Sequence, residues 1–207
     1  MGKHSSSSRR WLQRQQKDHY VKLARKSDYR SRAVYKLIEI DEKDHLFRPG
    51  QVVIDLGAAP GSWSQYVAER VGKTGKVIAL DILEMEPIDN VEIIQGDFTT
   101  DDVFEQCLEC LAGRSADLVI SDMAPNLSGI KATDQARSIY LAELALDLSR
   151  RVLNKDGALL VKMFQGEGAD SYRTELKEHF KRILTRKPRA SREGSREFYL
   201  LAHGLRH

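Results

Sequence analysis

Apolar and polar positions along this chain fall into blocks whose period switches repeatedly between that of a strand and that of a helix. The first block that reads as a helix covers residues 32–43, with Ala33, Leu37 and Ile40 along one face and Ser31 placed to cap it. Before it, residues 9–26 are polar and helix-compatible, and residues 1–8 are Ser-rich. Arg48-Pro49-Gly50 reads as a turn. Beyond that turn, short apolar runs predict strands at 52–56, 76–81, 91–97, 117–122, 158–164, 182–187 and 197–204. Helical patterns separate the earlier ones, at 62–71, 101–112, 134–153 and 169–180. Apolar strands alternating with helices predict an α/β protein, a doubly wound and mostly parallel sheet with helices on both faces.

In such a sheet, ligands bind outside the carboxyl ends of the strands. The first strand ends in Asp55-Leu56-Gly57-Ala58-Ala59-Pro60-Gly61-Ser62-Trp63, which opens the next helix. Small residues let a ligand approach the backbone, and the electropositive helix start suits a carboxylate or phosphate. The glycines form GxxxG, not the GxGxxG of a dinucleotide site. Asp81 ends the second strand, 24 residues after Gly57, where an acid can accept hydrogen bonds from a ribose diol. Asp97 ends the third strand, placed to receive an adenine amino group. Singly, each acid reads equally well as a turn former. Together they point to a nucleoside. Acids with few nearby cations favour a cationic sulfonium over a pyrophosphate, and so S-adenosyl-L-methionine over a dinucleotide.

Net charge is +3, unevenly distributed. Residues 1–36 hold eleven Lys and Arg against two acids, a net +9; residues 37–207 hold 22 against 28, a net −6. Trp11, Tyr20, Tyr29 and Tyr35 lie among the leader's cations. Cations meet phosphates and aromatics stack on unpaired bases, so residues 1–30 read as an RNA-binding extension, partly disordered, on a domain spanning 31–207. Lys181, Arg182, Arg186, Lys187, Arg189 and Arg192 form a second basic run. With Arg30 and Arg32 they offer a phosphate-binding stripe, unless acids of the body pair with them. The chain shows neither an apolar run of membrane-spanning length nor a secretory leader. Cys107 and Cys110 form a lone CxxC within an apolar helical pattern and read as core thiols in a reducing compartment.

Lys162 sits inside the apolar run Ala158–Phe164. A lysine there is costly unless its charge is paired, carried to the surface or lost. A desolvated amine beside another cation has a lowered pKa and can act as a general base.

At this point the residues match a family. The chain resembles the FtsJ family of ribose 2′-O-methyltransferases from about Arg9 to its C-terminus. The likeness is carried by SRAVYKL (31–37), DLGAAPGSWSQ (55–65), SDMAPN (121–126), VKMF (161–164) and SREFYLL (195–201). It implies a Rossmann-like class I methyltransferase fold with seven strands, the last antiparallel. It also implies S-adenosyl-L-methionine as donor, S-adenosyl-L-homocysteine as product, and no metal, because the leaving group is a neutral thioether. The family's Lys-Asp-Lys-Glu tetrad falls on Lys36, Asp122, Lys162 and Glu197, with Lys162 as proton acceptor. Cofactor contacts fall on Gly61, Trp63, Asp81, Asp97 and Asp122. Bacterial members act on a uridine in the A-loop of 23S ribosomal RNA. The resemblance therefore implies that target within the large ribosomal subunit, a cytoplasmic location and a monomer that needs neither DNA nor membrane.

Three other readings are weaker. A 2′-O-methyltransferase of transfer RNA or of an RNA cap would share the tetrad, but the short chain favours the ribosomal type. Base amino-group methylation commonly uses Asn/Asp-Pro-Pro-aromatic where this chain has Asp122-Met123-Ala124-Pro125. A non-catalytic ribosome-assembly factor has no need of all four tetrad residues.

Overall fold

The computed structural model describes residues 18–126 and 128–206. Seven strands form one sheet: β1 (Val52–Leu56), β2 (Lys76–Asp81), β3 (Val91–Gln95), β4 (Ala116–Ser121), β5 (Leu153–Phe164), β6 (Phe180–Arg186) and β7 (Glu197–Leu205). Their order across the sheet is β3-β2-β1-β4-β5-β7-β6. All pairings from β3 through β5 are parallel, and β7 inserts antiparallel between β5 and β6. The expected α/β class, the strand count and the antiparallel last strand are therefore borne out.

Six helices occur among the described residues: α1 (His19–Lys26), α2 (Val34–Asp44), α3 (Ser62–Val71), α4 (Asp101–Leu111), α5 (Lys131–Val152) and α6 (Ala169–His179). The sheet's two faces carry separate cores. Val103, Phe104 and Cys107 of α4, Ala145 and Leu146 of α5, and Tyr172 and Leu176 of α6 pack over one face. Val34, Leu37 and Ile40 of α2, with Trp63, Tyr66, Val67 and Val71 of α3, pack over the other. This is why β1 is apolar without alternation: both its faces are covered. No described helix is long and apolar enough to cross a membrane.

Several boundaries depart from expectation, each for a local reason. Helix α2 starts at Val34, because Ser31 Oγ accepts from the nearby Ala33 N–H and meets Ser62 Oγ at 2.8 Å, leaving no side-chain cap on the helix itself. Strand β3 ends at Gln95, where the Gly96 N–H turns back to the Asp81 carbonyl. Strand β5 starts at Leu153, five residues early. Asp156 sits at φ 72°, a break in extended backbone, yet Leu153 already pairs with Ala116 across an irregularity in the ladder.

Candidate active site

Strand order reverses between β1 and β4, and the crevice at such a switch point is where a doubly wound sheet offers its ligand site. The loop leaving β1 folds over the end of β2: the Gly57 and Ala58 N–H groups both donate to the Leu80 carbonyl, at 2.9 and 3.2 Å. Gly57 and Gly61 both have positive φ, 69° and 101°. A Cβ on Gly57 would lie 2.3 Å from Met123 Cγ, and one on Gly61 would lie 2.5 Å from Ile88 Cδ1. Glycine is thus required twice, for conformation and for space.

Asp81 is half-buried at the mouth of this loop. Its two oxygens accept from the Ala59 and Leu83 N–H groups, each at 2.8 Å, and each keeps a further lone pair. Asp97 lies beyond the end of β3 and is exposed. One of its oxygens takes the Thr99 amide and hydroxyl, and the other has no hydrogen-bond partner among the described residues. Trp63 is turned away from the crevice: its side chain is buried, its indole N–H donates to the Ala33 carbonyl at 2.8 Å, and its ring lies against Tyr199. What it can offer a ligand is its backbone amide, in the first helical turn, where N–H groups lack intrahelical partners.

The four tetrad positions come from distant parts of the chain and meet beside that loop. Lys162 lies on β5 opposite Tyr199 of β7, and Phe164 lies opposite Glu197. Asp122 follows the last residue of β4, and Lys36 reaches over from α2. Lys36 and Lys162 are each only 7 % exposed, and Glu197 9 %. Lys162 Nζ is 3.0 Å from Asp122 Oδ1 and also donates to the Asp122 carbonyl. Lys36 Nζ lies 3.0 Å from Glu197 Oε1 and 3.6 Å from Asp122 Oδ1. The Lys36–Glu197 contact is close but not aligned as a hydrogen bond, which leaves Glu197 Oε1 sealed from solvent without a hydrogen-bond partner. Burial works to raise the Asp122 carboxyl, but Lys162, Lys36 and the Tyr199 hydroxyl outweigh it and hold the group below the ordinary carboxylate range. Asp122 is thus the anion that makes two buried amines tolerable.

Two participants carry no role in the sequence reading. Tyr199 is fully buried and donates its hydroxyl to Asp122 Oδ1 at 2.6 Å. Burial first, then the Asp122 and Glu197 carboxylates, push its own pKa well above that of a free phenol, so it stays a donor. The period-2 rule is the available signal, since Tyr199 must share a sheet face with Glu197, two residues earlier. Asp55 is sealed under the glycine loop with Ser64 Oγ donating to it at 2.6 Å. Burial pushes its carboxyl up to about 7, against the Ser64 hydrogen bond and with help from Asp122 and Asp81.

The basic stripe is only partly available. Lys181 pairs with Asp156, Arg186 forks onto Asp44 at 2.5 Å, and Lys187 donates to the Ser195 and Glu197 carbonyls. Arg32 lies 2.9 Å from Asp18 and donates to the Ala190 carbonyl, while Arg30 is committed to three backbone carbonyls. Acids of the body thus take two of these cations, and backbone carbonyls or Asp18 engage three more. Of the extension expected over 1–30, residues 1–17 lie outside the described residues. From Asp18 onward it is docked on the domain, through Tyr20 to Glu39 and Tyr29 to Glu69. Cys107 is buried in the core and Cys110 half-buried; burial raises both thiols to about 11, with Glu92 adding at Cys110. Among the described residues, no group of three or more His, Cys, Asp or Glu is placed to hold a metal ion.

Fold and site together define a doubly wound sheet with an acid-rimmed crevice at its switch point and a buried amine–carboxylate centre at the edge of that crevice. Comparison with known proteins gives this class its family. The model of the FtsJ-like methyltransferase family matches residues 29–205, and the chain belongs to that family. A protein of Alkalilimnicola ehrlichii named ribosomal RNA large subunit methyltransferase E is 56 % identical over 98 % of this chain and 97 % of its own length. One of the same name from Pseudomonas aeruginosa is 55 % identical, with 98 % of each chain covered. Among solved structures, a putative ribosomal RNA methyltransferase of Plasmodium falciparum superposes with a TM-score of 0.77 at 35 % identity, over 86 % of this chain and 98 % of that one.

Proposed function

We propose that this protein transfers a methyl group from S-adenosyl-L-methionine to the 2′-hydroxyl of a uridine ribose in the A-loop of 23S ribosomal RNA, acting on the large subunit in the cytoplasm. The observation that carries the reading is the convergence of Lys36 and Lys162 on the one carboxylate of Asp122, with Glu197 closing the cluster at the crevice edge. The names of the relatives support the substrate class.

The crevice fits the donor. Gly57 and Gly61 let the loop close onto Met123 and Ile88, Asp81 has lone pairs left for a ribose diol, and Asp97 has an oxygen without a partner among the described residues for an amino group. Asp81 and Asp122 give it the anionic character that a ligand with a sulfonium and an ammonium requires. Bound S-adenosyl-L-methionine supplies an activated methyl group whose leaving group is a neutral thioether.

Lys162, as the neutral amine, accepts the proton of the attacking ribose hydroxyl; its ammonium form has no lone pair for this. Asp122 holds Nζ in place through both its carboxylate and its carbonyl, then stabilises the ammonium that forms. Lys36 shares the same carboxylate, and Glu197 keeps Lys36 there. With Tyr199 buttressing Asp122 from the core, the base has one orientation, and holding the reactants in line supplies much of the rate.

The test is to incubate the purified protein and labelled S-adenosyl-L-methionine with unmethylated large subunits, with transfer RNA and with capped RNA. The product nucleotides are then mapped by mass spectrometry. Label on one ribose of the large subunit is the expected result. Label on transfer RNA or a cap would move the substrate, and label on a base would reject the chemistry.

A further inference from the structure

Arg30 belongs to the basic segment that, by charge alone, looks like a phosphate contact. Three of its five N–H donors are instead taken by backbone carbonyls of the protein. Nη1 donates to the Pro60 carbonyl at 3.0 Å and to the Glu86 carbonyl at 2.8 Å, and Nη2 donates to the Pro87 carbonyl at 2.8 Å. Pro60 lies in the glycine loop that leaves β1, and Glu86 and Pro87 lie in the β2–β3 connection. These two loops flank Asp81. One side chain therefore pins together the two walls of the proposed cofactor crevice.

The pin stands in a stitched strap. The Arg30 N–H donates to Gln65 Oε1 at 3.0 Å, and Gln65 Nε2 donates back to the Asp28 carbonyl at 3.2 Å. Tyr29 donates to Glu69, Ser31 Oγ meets Ser62 Oγ, and the Trp63 indole donates to the Ala33 carbonyl. Residues 28–33 are thus tied to the first helix after the loop on both sides of Arg30. The two loops also meet: Met85 shares a small buried cluster with Ala58 and Ala79, and Ile88 and the Arg30 guanidinium occupy the space above Gly61.

We infer that Arg30 is a positioning residue for the methyl donor, fixing the glycine loop against the β2–β3 connection so that Gly61 and Asp81 are preorganised. The inference presupposes the S-adenosyl-L-methionine reading above. A planar fork can serve three carbonyls at once, whereas a lysine ammonium is a point donor on a flexible stem. With both Nη1 protons and one Nη2 proton so engaged, Arg30 keeps only its Nε proton and one Nη2 proton for any other partner.

The test is calorimetric titration of S-adenosyl-L-methionine into wild type, Arg30→Ala and Arg30→Lys. Large-subunit affinity at two salt concentrations, the thermal midpoint without cofactor, and KM for each substrate are measured alongside. Arg30→Ala is expected to bind the donor about tenfold more weakly, with Arg30→Lys recovering only part of the loss. KM for the donor should rise in step, while subunit affinity stays at the wild-type value; the cofactor-free midpoint should fall modestly, since three carbonyls lose their donor, with the chain still folded at the temperature of the titration. A second measurement needs no variant: in wild type, donor binding should slow amide exchange in residues 28–33 and 86–90 together. Donor affinity unchanged in Arg30→Ala with subunit affinity reduced would overturn the inference and return Arg30 to the RNA face. Exchange that slows in neither segment would also overturn it. A wild type that binds no donor at all would defeat the proposed function, and this inference with it.

Discussion

Tyr199 donates its phenol to Asp122 Oδ1 at 2.6 Å, from a ring with no solvent exposure. The same oxygen lies 3.0 Å from Lys162 Nζ, so the tyrosine fixes the anion that fixes the base. Tyr199→Phe keeps the ring, its packing on Trp63 and the fold. It removes a hydrogen bond to a charged acceptor, a contact of about 1.5–3 kcal/mol, so the expected fall in kcat is tenfold or more. Donor affinity by titration should stay near wild type. An unchanged kcat would mean that Asp122 needs no support from the core.

Asp55 predicts a pH effect of definite sign. Its carboxyl is raised from 3.8 to about 7 in the folded chain, chiefly by burial. Between those values the folded state holds a proton that the unfolded state has lost. Stability should therefore be greatest in acid and decline as pH rises toward 7, by up to about 1.4 kcal/mol per pH unit from this group, then level off. Asp55→Asn keeps the acceptor for Ser64 and abolishes the titration. In urea unfolding at pH 5 and pH 8, the variant should lose less stability across the interval than wild type. Equal losses would show that Asp55 titrates as an ordinary carboxylate.

How much of this was legible in the sequence depended on how local the cause was. β1, α3 and β2 lie at their expected residues, because apolar runs and flanking glycines are local signals. The tetrad was reached through resemblance, since nothing in the spacing of Lys36, Asp122, Lys162 and Glu197 says that they meet. The partners of the basic runs were hidden for the same reason. Arg186 finds Asp44 across 142 positions, and a charge count along the chain has no access to such partners. Likewise, nothing in the sequence says that the Trp63 indole bonds to the Ala33 carbonyl, which leaves its backbone amide as the part it can offer a ligand.

The leader is best tested short of its docked part. Residues 1–17 carry five Lys and Arg and no acid, while residues from Asp18 onward contact the domain. We predict that removing 1–17 weakens binding to large subunits and flattens its dependence on salt, because fewer counterions are released. Cofactor affinity should not move. Identical salt dependence with and without the segment would remove it from the RNA-binding surface.

The central claim is that Lys162 takes the proton of the attacking hydroxyl. The direct measurement is single-turnover methyl transfer to large subunits by Lys162→Ala, with donor binding titrated in parallel. The account predicts donor affinity close to wild type and a rate lower by at least about 100-fold, the range of a lost general base. A rate within about tenfold of wild type, a barrier change of roughly 1.4 kcal/mol or less, would contradict it.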